Sequence, residues 1–208
     1  MEVLEALNWR YAVQKFSDER IGEAQLQQLL TATRMSPSSF GLQPYRLIVV
    51  ASEDMRQRLL PHSMGQEKVV HCSHLIVFAA QTAPGEQIVD HYIERFAQVR
   101  GVPVSDLQRL SDRMKKTLAA RTPEQNLQWA HRQTYIALGT MLTCAALMGI
   151  DGGPMEGFEP KGYDQVLGLA DLNLTASVIC AIGRRDPEDA GADLPKVRFE
   201  QSEMVTMV

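Results

Sequence analysis

The sequence predicts an α+β fold, a small mixed sheet flanked by helices. Two patterns in the chain and its bulk composition predict it. Apolar runs of strand length occur at Leu47-Ile48-Val49-Val50, Leu75-Ile76-Val77-Phe78-Ala79 and Ser177-Val178-Ile179-Cys180-Ala181-Ile182. Around them lie many segments with apolar residues at helical spacing, the longest from Pro123 to Met148. At 208 residues the chain suits one domain, read as spanning 1–208, and its 45% hydrophobic content can fill a sizeable core.

Val3, Leu4 and Leu7 share one face of a short opening helix. Arg10 to Phe16 alternates roughly between apolar and polar, with cationic or amide groups at Arg10, Gln14 and Lys15. Ile21-Gly22-Glu23 opens the next helix, with Glu23 in the first turn, where the macrodipole favours an anion. Leu26, Leu29, Leu30 and Thr33 repeat along it. Then comes Ser36-Pro37-Ser38-Ser39-Phe40-Gly41-Leu42-Gln43-Pro44-Tyr45. Its two prolines forbid helix and its glycine permits positive φ. The hydroxyls and amide between them show little reason to fold on themselves, and a fixed polar loop between core elements is a common place for a ligand.

A strand from Arg46 to Ala51 follows, then a short helix from Met55 to Leu60 and a mixed stretch from His62 to His74. Leu75 to Ala79 is apolar throughout, as expected of a strand covered on both faces. Ile88 to Arg100 is helical, stopped by Gly101 and Pro103, and Leu107, Leu110, Met114 and Leu118 mark another helix. Glu86 to Thr122 is the most polar region and reads as a helical excursion over the core.

Beyond Gln133 the long helix is apolar almost all round. About 25 residues at 1.5 Å each would cross the whole domain. Such a helix could bury its outer face only against a partner, which predicts a homodimer built on it. Asp151 to Phe158 reads as a second special loop, Lys161 to Leu167 as a short helix, and Arg184 to Asp193 as a charged surface loop. In the tail, Lys196 and Arg198 stand two residues apart and would point the same way in extended chain. Two cations aimed at one spot suit a phosphate.

A net charge of −4 gives no footprint for nucleic acid or anionic membrane. No apolar run reaches 18 residues, and Met1 is followed by Glu2 with no basic or apolar leader, so a cytoplasmic protein is expected. Cys72, Cys144 and Cys180 read as buried free thiols. There is no G-x-S-x-G, no C-x-x-C and no glycine-rich nucleotide fingerprint. His71 and His74, with His62 nearby, suggest a metal cluster, but positions three apart diverge on entering a strand, so no metal is expected.

What remains is a set of dispersed parts. Arg10-Tyr11-Ala12-Val13-Gln14-Lys15-Phe16, Ser36-Pro37-Ser38-Ser39 with Gln43-Pro44, Ala146 to Phe158 with Pro154-Met155-Glu156-Gly157-Phe158, and Leu194-Pro195-Lys196-Val197-Arg198 stand in an order that resembles the nitroreductase family of FMN-dependent oxidoreductases. The resemblance covers nearly the whole chain and is closest to the oxygen-insensitive, dihydropteridine-reductase-like branch.

It implies an interlocked homodimer with FMN at the interface. Arg10, Lys196 and Arg198 would hold the phosphate, with Tyr11 and Ala12 alongside. Ser38, Ser39 and Gln43 would line the isoalloxazine and ribityl region, coming from the partner subunit, and Pro37 is a further cofactor-binding candidate. Pro154, Met155, Glu156 and Gly157 would line the other edge of the flavin, with a backbone N–H of Glu156 or Gly157 near N5. Lys68 and Gln14 would face the edge that becomes negative on reduction, where a cation favours reduced flavin.

Two positions depart from the branch, which usually has lysine at Gln14 and asparagine at Gly65; Gln66 is the candidate replacement for that amide. The resemblance implies ping-pong transfer from NADH or NADPH to nitroaromatics, quinones or related acceptors, under a roof formed by the excursion with Tyr92, Phe96 and Met114. Core packing is the competing role for those three. A non-catalytic FMN store or sensor is the alternative function.

Overall fold

The computed structural model describes residues 2–208. Strands β1 (Tyr45–Val50), β2 (His74–Gln81), β3 (Asp151–Met155) and β4 (Leu174–Gly183) form one sheet in the order β1-β2-β4-β3. Around it pack α1 (Val3–Trp9), α2 (Glu23–Arg34), α3 (Glu53–Leu59), α4 (Lys68–His71), α5 (Glu86–Arg100), α6 (Gln108–Ala119), α7 (Pro123–Leu147), α8 (Pro160–Leu167) and α9 (Gln201–Met204). The α+β class is as predicted, but the sheet is not mixed. All its strand pairs are antiparallel, and the parallel contact is the isolated Ala12–Gly152 bridge. The chain leaves β1 at Val50 and re-enters beside it at Leu75, so α3 and α4 return it to the end it left.

β2 is covered on both faces. Leu75, Val77 and Ala79 join Val13, Leu59, Phe158 and Tyr163 in one cluster. Ile76 and Phe78 join Leu26 and Leu29 of α2 and Ala137 and Met141 of α7 in another. A third cluster closes the excursion on itself and on α7, through Val89, Ile93, Met114, Leu118 and Trp129. Met114 is therefore core, whereas Tyr92 abuts Gly41 and stacks edge-on against Phe96, with ring centroids 6.1 Å apart.

Ser177 is the extra residue at a bulge in the β2–β4 ladder, and its hydroxyl meets His131 Nδ1 and Thr134 Oγ1, each at 2.8 Å. The three thiols are free, with Cys144 only half-buried, and burial pushes Cys72 and Cys180 up to about 12.

Asp151 to Phe158 was predicted as a loop, yet its first half is edge strand β3. Proline is tolerated there because an edge strand has ladder positions that need no N–H. The glycines are used for approach: a Cβ on Gly153 would lie 2.7 Å from the Val13 carbonyl oxygen.

The apolar face of α1 is exposed, with Leu4 76% accessible and only Ala6 buried. On α7, residues 126–146 bury one side, while Tyr135, Ile136, Gly139 and Leu147 form an exposed stripe within the single chain. No described helix is long and apolar enough to cross a membrane.

Gly153→Ala is expected to lower stability by about 1–3 kcal/mol, the usual effect of overpacking, read by urea unfolding. Gly22→Ala, where a Cβ meets nothing within 4 Å, should leave the midpoint within about 0.5 kcal/mol.

Candidate functional site

The N-terminal segment is laid along β3. Arg10 caps α1 through its N–H to Ala6 O at 3.0 Å, and the chain is extended from there. Val13 N–H donates to Gly152 O at 3.4 Å, its side chain is buried, and Phe16 bridges to Arg185. This sets Gln14 against Lys68, whose Nζ donates to Gln14 Oε1 at 3.1 Å. Gln14 Nε2 donates to Ala12 O at 3.0 Å, so both ends of the amide are engaged by the chain. Lys68 opens α4 and is 7% exposed. It forms no ion pair among the described residues. Burial lowers its pKa, against the opposing influence of Cys180 and Asp189.

A second cation group lies at the start of this segment. Lys196 Nζ donates to Arg10 O, which brings the tail back to the N-terminal segment. Burial and then Arg198 lower the Arg10 pKa, while burial, Arg10 and Arg198 lower that of Lys196. The three repel one another and have no carboxylate partner among the described residues. An anion among them would relieve that repulsion.

Residues 184–193 form a charged surface loop, as predicted, but part of it turns inward. Asp189 is 6% exposed. Its Oδ2 accepts the N–H groups of Gln14 and Lys15, both at 2.8 Å, and its Oδ1 accepts that of Gly191 at 2.9 Å. Arg185 is sandwiched against the rings of Trp9, at 4.1 Å, and Tyr11, at 4.6 Å. It also pairs with buried Asp151, Nε and Nη2 lying 2.8 and 2.6 Å from Oδ1. The Tyr11 phenol lies beside Asp189 without a hydrogen bond of its own; burial first, and then that carboxylate, push it up to about 12. Tyr11 thus buttresses this loop. In the sequence Asp151, Arg185 and Asp189 carry no assigned role; only the folded seam shows the two carboxylates buried and Arg185 largely covered.

Gln66 donates through Nε2 to Gly157 O at 2.8 Å and Ser63 O at 3.1 Å, so its amide joins two loops. Gly65 has φ +68 after Met64 at φ +53, a turn that explains glycine here. Met155 is buried, and Glu156 lies beside the Tyr135 phenol, which burial and that carboxylate push up to about 12. His62 Nδ1 meets Glu159 Oε2 at 3.0 Å, whereas His74 Nδ1 meets Ser73 Oγ at 3.0 Å.

The Pro37–Gln43 loop does fold on itself, contrary to expectation. Ser38 Oγ accepts Gln43 N–H at 3.0 Å, Gln43 Nε2 donates to Arg34 O at 2.8 Å, and Ser39 N–H donates to Gln133 Oε1 at 2.9 Å. Phe40, Gly41 and Gln43 have positive φ. These local bonds fix the loop against α2 and α7, and none reaches the Arg10–Lys68 group. Gln43 instead lines a cleft of about 570 Å³ between α2, β1 and α5. In one chain the expected site residues therefore form two separate groups.

A family model described as the nitroreductase family matches residues 7–184. The chain is 32% identical over 196 residues to a Staphylococcus haemolyticus protein named provisionally as the NAD(P)H nitroreductase SH0546, covering 89% of each. It is 31% identical to YfkO of Bacillus subtilis, likewise provisionally an NAD(P)H nitroreductase, covering 100% of this chain and 97% of that one. Among solved structures, a protein from Exiguobacterium sibiricum, provisionally a nitroreductase and in complex with FMN, superposes with a TM-score of 0.84 at 17% identity, covering 100% and 98% of the two chains. The enone reductase CLA-ER superposes with a TM-score of 0.83 at 17% identity and the same coverage. At such identity these structures establish the fold.

Burial raises the Asp189 pKa, but the N–H donors of Lys15, Gly191 and Gln14 outweigh it and hold the carboxyl below its ordinary value. A depressed folded pKa stabilises above the unfolded value and is lost as pH falls through the folded one. Asp189→Asn is expected to be less stable than wild type by about 1–3 kcal/mol at pH 7. The gap should narrow as pH drops below about 4, measured by urea unfolding across pH. A gap that stays constant with pH would contradict the assignment.

Proposed function

The chain belongs to the nitroreductase family, and on that premise we propose that it is an FMN-dependent oxidoreductase that draws on NADH or NADPH to reduce nitroaromatics, quinones or related electron-poor acceptors. The observation that carries this reading is the set of uncompensated cations. Arg10, Lys196 and Arg198 crowd together without an acid, and Lys68 is buried with only an amide for company. A phosphate on the first group and an electron-rich ring edge on the second are what such a surface lacks, so the residues present fit FMN.

Arg10, Lys196 and Arg198 would hold the phosphate, and Tyr11 and Ala12 would frame it. Lys68 would meet the ring edge that gains negative charge, with Gln14 behind it and Gln66 tying the loop to Gly157. Pro154 to Gly157 would face the opposite edge. When bound, FMN would supply the two-electron redox chemistry between the nicotinamide donor and the acceptor, in the ping-pong order that the family resemblance implies. The chain itself needs no nucleophile for this. It acts in the cytoplasm in this reading, where its nicotinamide donor is found.

The same proposal makes the protein a homodimer. The exposed Tyr135, Ile136, Gly139 and Leu147 stripe of α7 supplies the apolar face, and the Pro37–Gln43 loop of a second copy completes the site that one chain leaves in two halves. The domain is read as single, with the α5–α6 excursion roofing the acceptor.

Purified protein is expected to be yellow and to bleach with NADPH or NADH in the absence of oxygen. A yellow protein that neither donor bleaches would make it a flavin store or sensor, and a colourless one that takes up no FMN would end the cofactor assignment. Arg10→Ala should weaken FMN binding about 10- to 150-fold, the loss of about 1.5–3 kcal/mol expected for a hydrogen bond to a charged group, read by fluorescence titration. Ile136→Asp should convert a dimer into monomers in sedimentation and release FMN, since an interface hot spot is worth about 2 kcal/mol or more.

A further inference from the structure

Lys68 is held on one side only. Lys68 as a residue is buried, and its ammonium carries three N–H donors and gives one to the Gln14 amide. Gln14 sits on exposed chain, and its conformation is not set by packing. It is set by hydrogen bonds at three points. Its backbone N–H goes to Asp189 at 2.8 Å, its Nε2 to Ala12 O at 3.0 Å, and its Oε1 receives Lys68. The same Asp189 oxygen takes the next N–H, that of Lys15, also at 2.8 Å, so the carboxylate fixes two consecutive peptide groups. Asp189 is itself anchored through Gly191 and shielded by the Tyr11 ring.

We infer that Asp189 is a positioning residue for Lys68, acting through Gln14. The inference rests on the proposed FMN reading and adds to it. Gln14 serves there as the acceptor that aims the lysine, and its own donor is already turned to Ala12. The charge that favours reduced cofactor is then the single ammonium of Lys68, and its aim is set from the loop after β4.

Two electrostatic effects of Asp189 have opposite sign, which makes the inference testable. Its negative charge, acting through space, disfavours reduced flavin. Its hold on Gln14 favours reduced flavin by aiming Lys68. The second depends on Lys68 being present; the Asp189 charge also supports the protonated lysine, an influence that charge-conserving Asp189→Glu leaves in place.

The experiment is the midpoint potential of bound FMN in wild type, Gln14→Leu and Asp189→Glu, each also combined with Lys68→Met. Gln14→Leu and charge-conserving Asp189→Glu are each expected to lower the potential. The expected size is about tenfold weaker relative binding of reduced FMN, about 30 mV for a two-electron couple. Neither should lower it further once Lys68 is Met, because residues acting through one another are not additive.

Shifts that persist undiminished in the Lys68→Met background would overturn the inference. So would an Asp189→Glu protein that binds both redox states more weakly at an unchanged potential, the mark of a merely structural role. Should Asp189→Glu not fold, Asp189→Asn decides the matter by the difference between its shifts with and without Lys68. That difference is negative and the same at two pH values if Asp189 positions the lysine; zero, or a difference that changes with pH as altered protonation of Lys68 would make it, overturns the claim. Wild-type protein that takes up no FMN would overturn the cofactor reading and this inference together, a result distinct from any change in potential.

Discussion

The seam between the Arg10–Phe16 segment and β3 is the constraint on which the site depends. It exists because Gly153 has no side chain, so that a backbone carbonyl can lie where a Cβ would otherwise be. The closeness carries consequences in both directions along the chain. Toward the N-terminus it fixes the carbonyl of Arg10 where Lys196 finds it. Toward the C-terminus it presents two peptide N–H groups to Asp189 and an amide to Lys68. A residue with any side chain at 153 would lift the whole segment away, and the cation groups would separate with it.

Charge is distributed around this seam unevenly. The acidic groups that are buried, Asp151 and Asp189, are consumed by Arg185 and by backbone donors. Lys15 pairs with Asp186 and Glu188, whereas Arg10, Lys68, Lys196 and Arg198 have no acid of their own among the described residues. Removing an ammonium from water without a counter-charge is unfavourable, which is why burial lowers the pKa of Lys68.

Much of this could be read in the sequence. The three apolar strands, the long helix and the amphipathic helices announce themselves by period, because burial on one or both faces leaves a regular trace. The cations at 10, 68, 196 and 198 were legible through motif order. β3 was not, since Gly152, Gly153 and Pro154 all argue locally against a strand, and only the neighbouring chain at Val13 explains them. Asp151, Arg185 and Asp189 were not legible either, because a carboxylate that binds backbone N–H groups leaves no periodic signal. The fixed conformation of the 37–43 loop was half legible: the prolines and glycine announced a turn, but the Ser38–Gln43 and Gln43–Arg34 bonds required three dimensions.

The contact of Lys196 with Arg10 joins positions 186 residues apart. Synthesis on the ribosome delivers the first of these residues long before the second. Until the second is made, therefore, the N-terminal half of this cation group exists without its closing half. The sheet cannot assemble in its final order early either, because β4, the strand that sits between β2 and β3, comes last of the four. Closure of both the cation group and the sheet is thereby deferred until the residues after β3 have been made.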